Sequence, residues 1–136
     1  EPVGSIVAAS PQIKIVVEDP AAKFIANPFF AGAGIVTTKF LKERPDVARR
    51  FIAAMNKAAA LVEGDFNTYR KHLVGFTPVT DATISLVKPM HFIGSDAIDD
   101  GAVAAYQLFA DIFPAGGVAK EKIDVSKIVI KSSELK

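Results

Sequence analysis

Apolar residues recur along this chain with two different periods, and the period decides which element each stretch predicts. The clearest case runs from Pro45 to Gly64. There Val47, Phe51, Ala54, Met55, Ala58, Leu61 and Val62 fall at helical spacing and form one continuous stripe. Pro45 suits a first helical position, Asp46 sits at the positive end of the helix dipole, and Gly64 provides a stop. A shorter helix is predicted over Phe66 to Leu73, stopped near Gly75. Thr80 can cap a third, running through Ile84 to Val87 and ending before Pro89. Ser95 or Asp96 can cap a fourth, whose stripe is Ile98, Ala102, Ala105, Phe109 and Ile112 and whose end is marked by Pro114 and Gly116-Gly117.

The β-branched stretches predict strands. Ile13 to Val17, in IKIVVEDP, is a short strand closed by Asp19-Pro20. FFAGAGIVTT, from Phe29 to Thr38, predicts an extended strand in which Gly32 and Gly34 permit bending. Val125 to Ile130 is a third, short extended piece. Between the first two, Ala21 to Pro28 is a loop or single turn, with Asn27-Pro28 as the turn signal. Small apolar residues from Val3 to Ala9 suit a helix that starts at Pro2 or before the chain, and Ser10-Pro11 stops it. The pattern predicts an α/β chain, predominantly helical with a few short strands.

Composition narrows the function. With 136 residues the chain suffices for one domain, and a hydrophobic half against 23% charge marks it as globular. Sixteen Lys and Arg against fifteen Asp and Glu leave a net charge of +1, without the concentrated basic surface of a nucleic-acid binder. Arg49-Arg50, the densest basic spot, is expected on a solvated helix face. The absence of cysteine removes disulfides, thiolate nucleophiles and cysteine zinc sites. No apolar run approaches the ~18 residues of a membrane span.

Candidate chemistry is sparse. Gly32-Ala33-Gly34 lacks the third glycine and the Lys-Ser/Thr of nucleotide loops. His72 is expected to face solvent and His91, in PMHFIG, to be a structural histidine; the two are too isolated to form a zinc pattern. Asp96, Asp99 and Asp100 are explained by the positive end of the fourth helix and do not form a calcium loop. The serines lack a nucleophile-elbow context. Catalysis, a metal and a cofactor are therefore not expected.

KFLKERPDVARRFIAAMNKAAALVEGD, residues 39–65, carries a resemblance. An apolar strand leading into Phe40, then Pro45, then an alanine-rich helix with Phe51, Ala54 and Ala58, resembles the C-terminal half of substrate-binding proteins of ABC importers. The likeness is to the nitrate, sulfonate and taurine type. Glu1-Pro2 resembles an "EP" that follows a strand in that family, and IKIVVEDP resembles the next short strand. The likeness covers roughly residues 1 to 112. It implies a partial type II periplasmic-binding-protein fold, in which residues 1–30 are a remnant of the second lobe. Residues 31–38 would be a hinge crossover strand and residues 39–136 the C-terminal helical part of the first lobe.

The same resemblance implies a periplasmic or lipid-anchored protein, with any signal peptide outside these residues. Such a protein captures a small anionic or polar solute between two lobes and docks on ABC permease subunits. By position, the ligand-side residues would be Glu1, Pro2, Asn27, Phe29 and Phe30, with Asn27 donating to an oxyanion and the phenylalanines packing on an apolar body. The first lobe's N-terminal sheet is absent, so a fragment is expected, with apolar surface left for the missing N-terminal half or for self-association. Competing expectations are a thiamine-pyrimidine-precursor binder or synthase on the same fold, and a self-contained helical interaction module.

Overall fold

A computed structural model describes residues 2–131 and residue 134. Helix α1 covers Val3–Ala8 and follows Pro2, which sits at the cap position. Helix α2, Pro20–Phe24, forms where a loop or single turn was expected: Asp19 accepts from the Ala22 N–H and Pro20 opens the first turn. Thr37 caps α3, Thr38–Glu43, through the Phe40 N–H. Helix α4 then runs over Pro45–Gly64, with the bounds that the proline, the aspartate and the glycine predict.

Asp65 caps α5, Phe66–Tyr69, which tightens into a 3₁₀ turn over Arg70–Leu73 and stops before Gly75, whose φ is +86°. The third expected helix is reduced to a 3₁₀ turn, Ile84–Leu86, because Thr80 and Thr83 hydrogen-bond one another's side chains and backbone and hold a turn over the intervening residues. The fourth starts later than Ser95 or Asp96 would place it. Ser95–Ala97 form a 3₁₀ turn, and α6 covers Asp100–Ala115 with Asp99 as its cap, 2.7 Å from the Ala102 N–H.

About 54% of the described residues are helical, so the predominantly helical expectation holds. The short strands do not form. Among the described residues the only bridge of the β type pairs Val74 with Thr77. Ile13 to Val17 ends in bends, and Phe29 to Val36 has no regular structure and no backbone hydrogen bond to a described residue. Val125–Lys127 instead forms a 3₁₀ turn, because Asp124 accepts from the Ser126 N–H and hydroxyl. The physical reason is common to the first two. A β-branched run sets a backbone preference, but its N–H and C=O groups are satisfied only by a neighbouring strand. Val16 and Ile35 accordingly stand 89% exposed.

The described chain divides into two compact units, each with its own interior. The first comprises residues up to Glu18 and Met55–Gly94; the second comprises Asp19–Ala54 and the residues from Ser95 onward. Helix α4 thus contributes residues to both. The first unit is built around Phe66, Val79 and Val87, with Ile6, Val62, Leu73, Val74, Ile84 and Met90 packed against them. Buried Ser5 accepts the Lys88 N–H at 3.1 Å, tying α1 to this core.

In the second unit, α6 turns Ala105 and Ala110 inward and carries Tyr106, Phe109 and Phe113 along an aromatic row. Gln107 closes the unit. Its Oε1 accepts the Val125 N–H at 2.9 Å and its Nε2 donates to the Ile123 carbonyl at 2.8 Å, so one side-chain amide holds the segment as a strand neighbour would. Val125 is 1% exposed as a result. Along α4 only Ala48 is buried, and Val47, Phe51, Met55 and Leu61 of the predicted stripe remain exposed.

Candidate functional site

The five ligand-side residues suggested by the resemblance have separate fates. Glu1 lies outside the described residues. Pro2 is half-buried at the start of α1, in the first unit. Asn27 is exposed in the second unit and joined to Pro28 by a cis peptide bond. Phe29 and Phe30 are both half-buried against α6. Phe29 meets Phe109 edge-on at 5.1 Å between ring centroids, and Phe30 stacks on Tyr106 at 5.9 Å. Neighbours in a strand would point to opposite faces. Since no strand forms here, both rings reach the same helix, and a ligand could meet only what they leave uncovered.

The first unit contains a concavity that sequence reasoning did not find. It has a volume of about 330 Å³. Phe66, Val62 and Leu73 are packed beneath it, while Leu61, Met90 and Phe92 are among the side chains around it. Arg70 and His72, neighbours on the 3₁₀ turn after α5, also line it. His72 is exposed, as expected, and stacks on Tyr69 at 6.4 Å.

The segment after Val87 forms one wall, and it is strapped down by side chains from distant parts of the sequence. Glu63 near the end of α4 accepts from His91 Nδ1–H at 2.9 Å and from the Phe92 N–H at 3.0 Å. Further on, Gly94 passes Asn56 so closely that a Cβ there would lie 3.0 Å from Asn56 Oδ1. His91 is thus a bonded histidine, as expected, although its side chain is exposed. The signal for this site was a basic turn, RKHL, adjoining an apolar floor; the strap pairs residues 28 and 29 apart, which local periodicity does not reveal.

A second, shallower concavity lies in the second unit, lined by Ile35, Val36, Thr37, Phe40 and Phe51. Its lining carries no ionisable group. No protein-family model, curated protein or solved structure matches this chain.

Several other carboxylates serve local structure. Asp65, Asp99 and Asp124 cap helical turns, and Asp46 pairs with Arg49 on an exposed face. Among the described residues no group of three or more His, Cys, Asp or Glu is placed to hold a metal ion. Hydrogen bonding depresses the pKa of Asp65 through Thr68 and that of Asp124 through Ser126 and Lys127.

Glu63 is shifted the same way. The His91 hydrogen bond, followed by the Phe92 N–H, holds its carboxyl below the ordinary 4.5. A depressed folded-state pKa gives stability that is present above the unfolded value and lost as pH falls through the folded one. On lowering pH through about 4.5, the strap should therefore weaken. Melting curves of the native chain and of Glu63→Gln check this: their difference should be largest at neutral pH and close below that value. A constant difference across the range would contradict it.

Proposed function

We propose that this chain is part of the solute-binding component of an ABC importer, capturing a small anionic or polar solute such as a sulfonate, taurine or nitrate. The observation that carries the reading is Phe29 to Val36. This segment has strand composition, no backbone hydrogen bond to any described residue, and Ile35 almost wholly in solvent. It is what a crossover strand looks like without the sheet it belongs to, as in a partial type II periplasmic-binding-protein fold. The exposed apolar side chains of α4 fit the same reading, since in a complete lobe they would be covered by the missing N-terminal half.

Solute would lie between two lobes, with Asn27, Phe29 and Phe30 as ligand-side residues in the second unit. Asn27 is exposed, and Phe29 and Phe30 pack the loop against α6. Binding would favour the closed arrangement, which docks on permease subunits outside the cytoplasmic membrane. The reading is of a binder, not an enzyme: the carboxylates described above are engaged in caps and straps and do not converge on a reaction centre. The exposed stripe of α4 also favours a second reading, a helical interaction module that docks a partner protein or a second copy.

Calorimetric titration with taurine, alkanesulfonates, nitrate and pyrimidines separates these. The gene's full product should bind one of them with micromolar affinity, and the 136-residue chain by itself should bind weakly or not at all. Micromolar binding to the chain alone would contradict the fragment reading, and no binding by the full product would contradict the importer reading.

A further inference from the structure

We infer that residues 88–94 form a flap over the floor of the first-unit concavity, which opens without unfolding the unit, and that the Glu63 carboxylate is the latch that keeps it shut. The flap is anchored at both ends. At its start the Lys88 N–H donates to the Ser5 hydroxyl at 3.1 Å, and at its finish Gly94 passes close against the Asn56 side chain. Between these anchors residues 89–93 lie in no helix or strand and make no backbone–backbone hydrogen bond with a described residue. Met90 packs against the cluster of Phe66, Val79 and Val87, whereas His91, Phe92 and Ile93 are exposed.

A stretch with few buried contacts and few backbone bonds opens at a lower free energy than the core beneath it. What resists opening here is concentrated in one side chain. One oxygen of Glu63 accepts from His91 Nδ1–H at 2.9 Å and the other accepts the Phe92 N–H at 3.0 Å, so both bonds are lost together with that residue. Both go to a carboxylate, which makes them the stronger kind of hydrogen bond. Glu63 itself stands within α4, so the latch has a helical base. Met90 and Phe92 line the concavity together with Phe66, Val62 and Leu73, and moving the flap away bares these last three. Access to the apolar floor is thereby set by one carboxylate. The flap does not depend on the importer reading, whose ligand-side residues lie in the second unit.

The chain has no cysteine, so Met90→Cys supplies a single thiol whose labelling rate reports opening. At low urea that rate should be nearly independent of urea, the mark of a local opening. The thiol of Val79→Cys, in the core, should label only through urea-dependent unfolding of the unit. Adding Glu63→Ala to Met90→Cys should speed labelling about tenfold or more, the scale of a lost charge-assisted hydrogen bond. Amide exchange of the unsubstituted chain checks the same point without touching the core. The Phe92 N–H should exchange faster than the Val62 N–H inside α4, and with less dependence on urea. The proposal is overturned if the Met90→Cys and Val79→Cys thiols share one urea dependence, or if the Phe92 and Val62 amides exchange together. It is equally overturned if Glu63→Ala leaves the labelling of Met90→Cys unchanged.

Discussion

Phe66→Ala is expected to destabilise the first unit by about 3–5 kcal/mol, enough to unfold a marginal chain at ambient temperature. Phe66 has three roles there. It occupies the first turn of α5 directly after the Asp65 cap, it is buried against Val79 and Val87, and it floors the concavity. Truncation leaves a void that Ile84 and Met90 can fill only in part, because the Ser5 hydroxyl holds the Lys88 N–H at one edge and Glu63 holds the Phe92 N–H at the other. Denaturant unfolding measures the loss. A change below about 1 kcal/mol would mean that the site collapses without cost and that the unit has no fixed core.

The second large effect is expected at Phe109. Its ring meets Phe29 at 5.1 Å, Phe113 at 4.8 Å and Tyr106 at 6.2 Å, all edge-on, so it is the hub of the aromatic row. Phe109 is half-buried, so its transfer contribution is smaller than that of Phe66, but each aromatic pair adds about 0.5–1.5 kcal/mol. Phe109→Ala should cost about 2–3 kcal/mol and release the Phe29 end of the unpaired segment. Phe109→Leu keeps most of the buried area and loses the three edge-on pairs, so it should cost about 1.5 kcal/mol. A cost near zero for Phe109→Leu would show that the pairs contribute nothing beyond area.

Helix α4 was legible in this sequence because the chain punctuates it at both ends. Pro45, Asp46 and Gly64 bound α4 because each acts within one turn of its own position. Capping was less legible where several capping residues crowd together: Ser95, Asp96 and Asp99 are locally equivalent, and Asp99 prevails once Ser95–Ala97 form their own 3₁₀ turn. The strands failed for a reason outside the segments. IKIVV and FFAGAGIV carry the composition of strands, and composition does not supply the second strand.

Much of the candidate site was invisible for the same reason. Glu63 reaches His91 and Phe92 across 28 and 29 residues, and Gln107 reaches Val125 across 18. Each is a polar residue on a helix, indistinguishable in sequence from its solvated neighbours. Phe29 and Phe30 both pack on α6 because they do not sit in a strand.

The central claim is that Phe29 to Val36 is a crossover strand separated from its sheet. Amide hydrogen exchange measures this directly, in the 136-residue chain and in the gene's full product. The account predicts fast exchange over this segment in the chain alone and strong protection in the full product, where neighbouring strands would take up its N–H groups. Protection already present in the chain alone, or fast exchange in both, would contradict it.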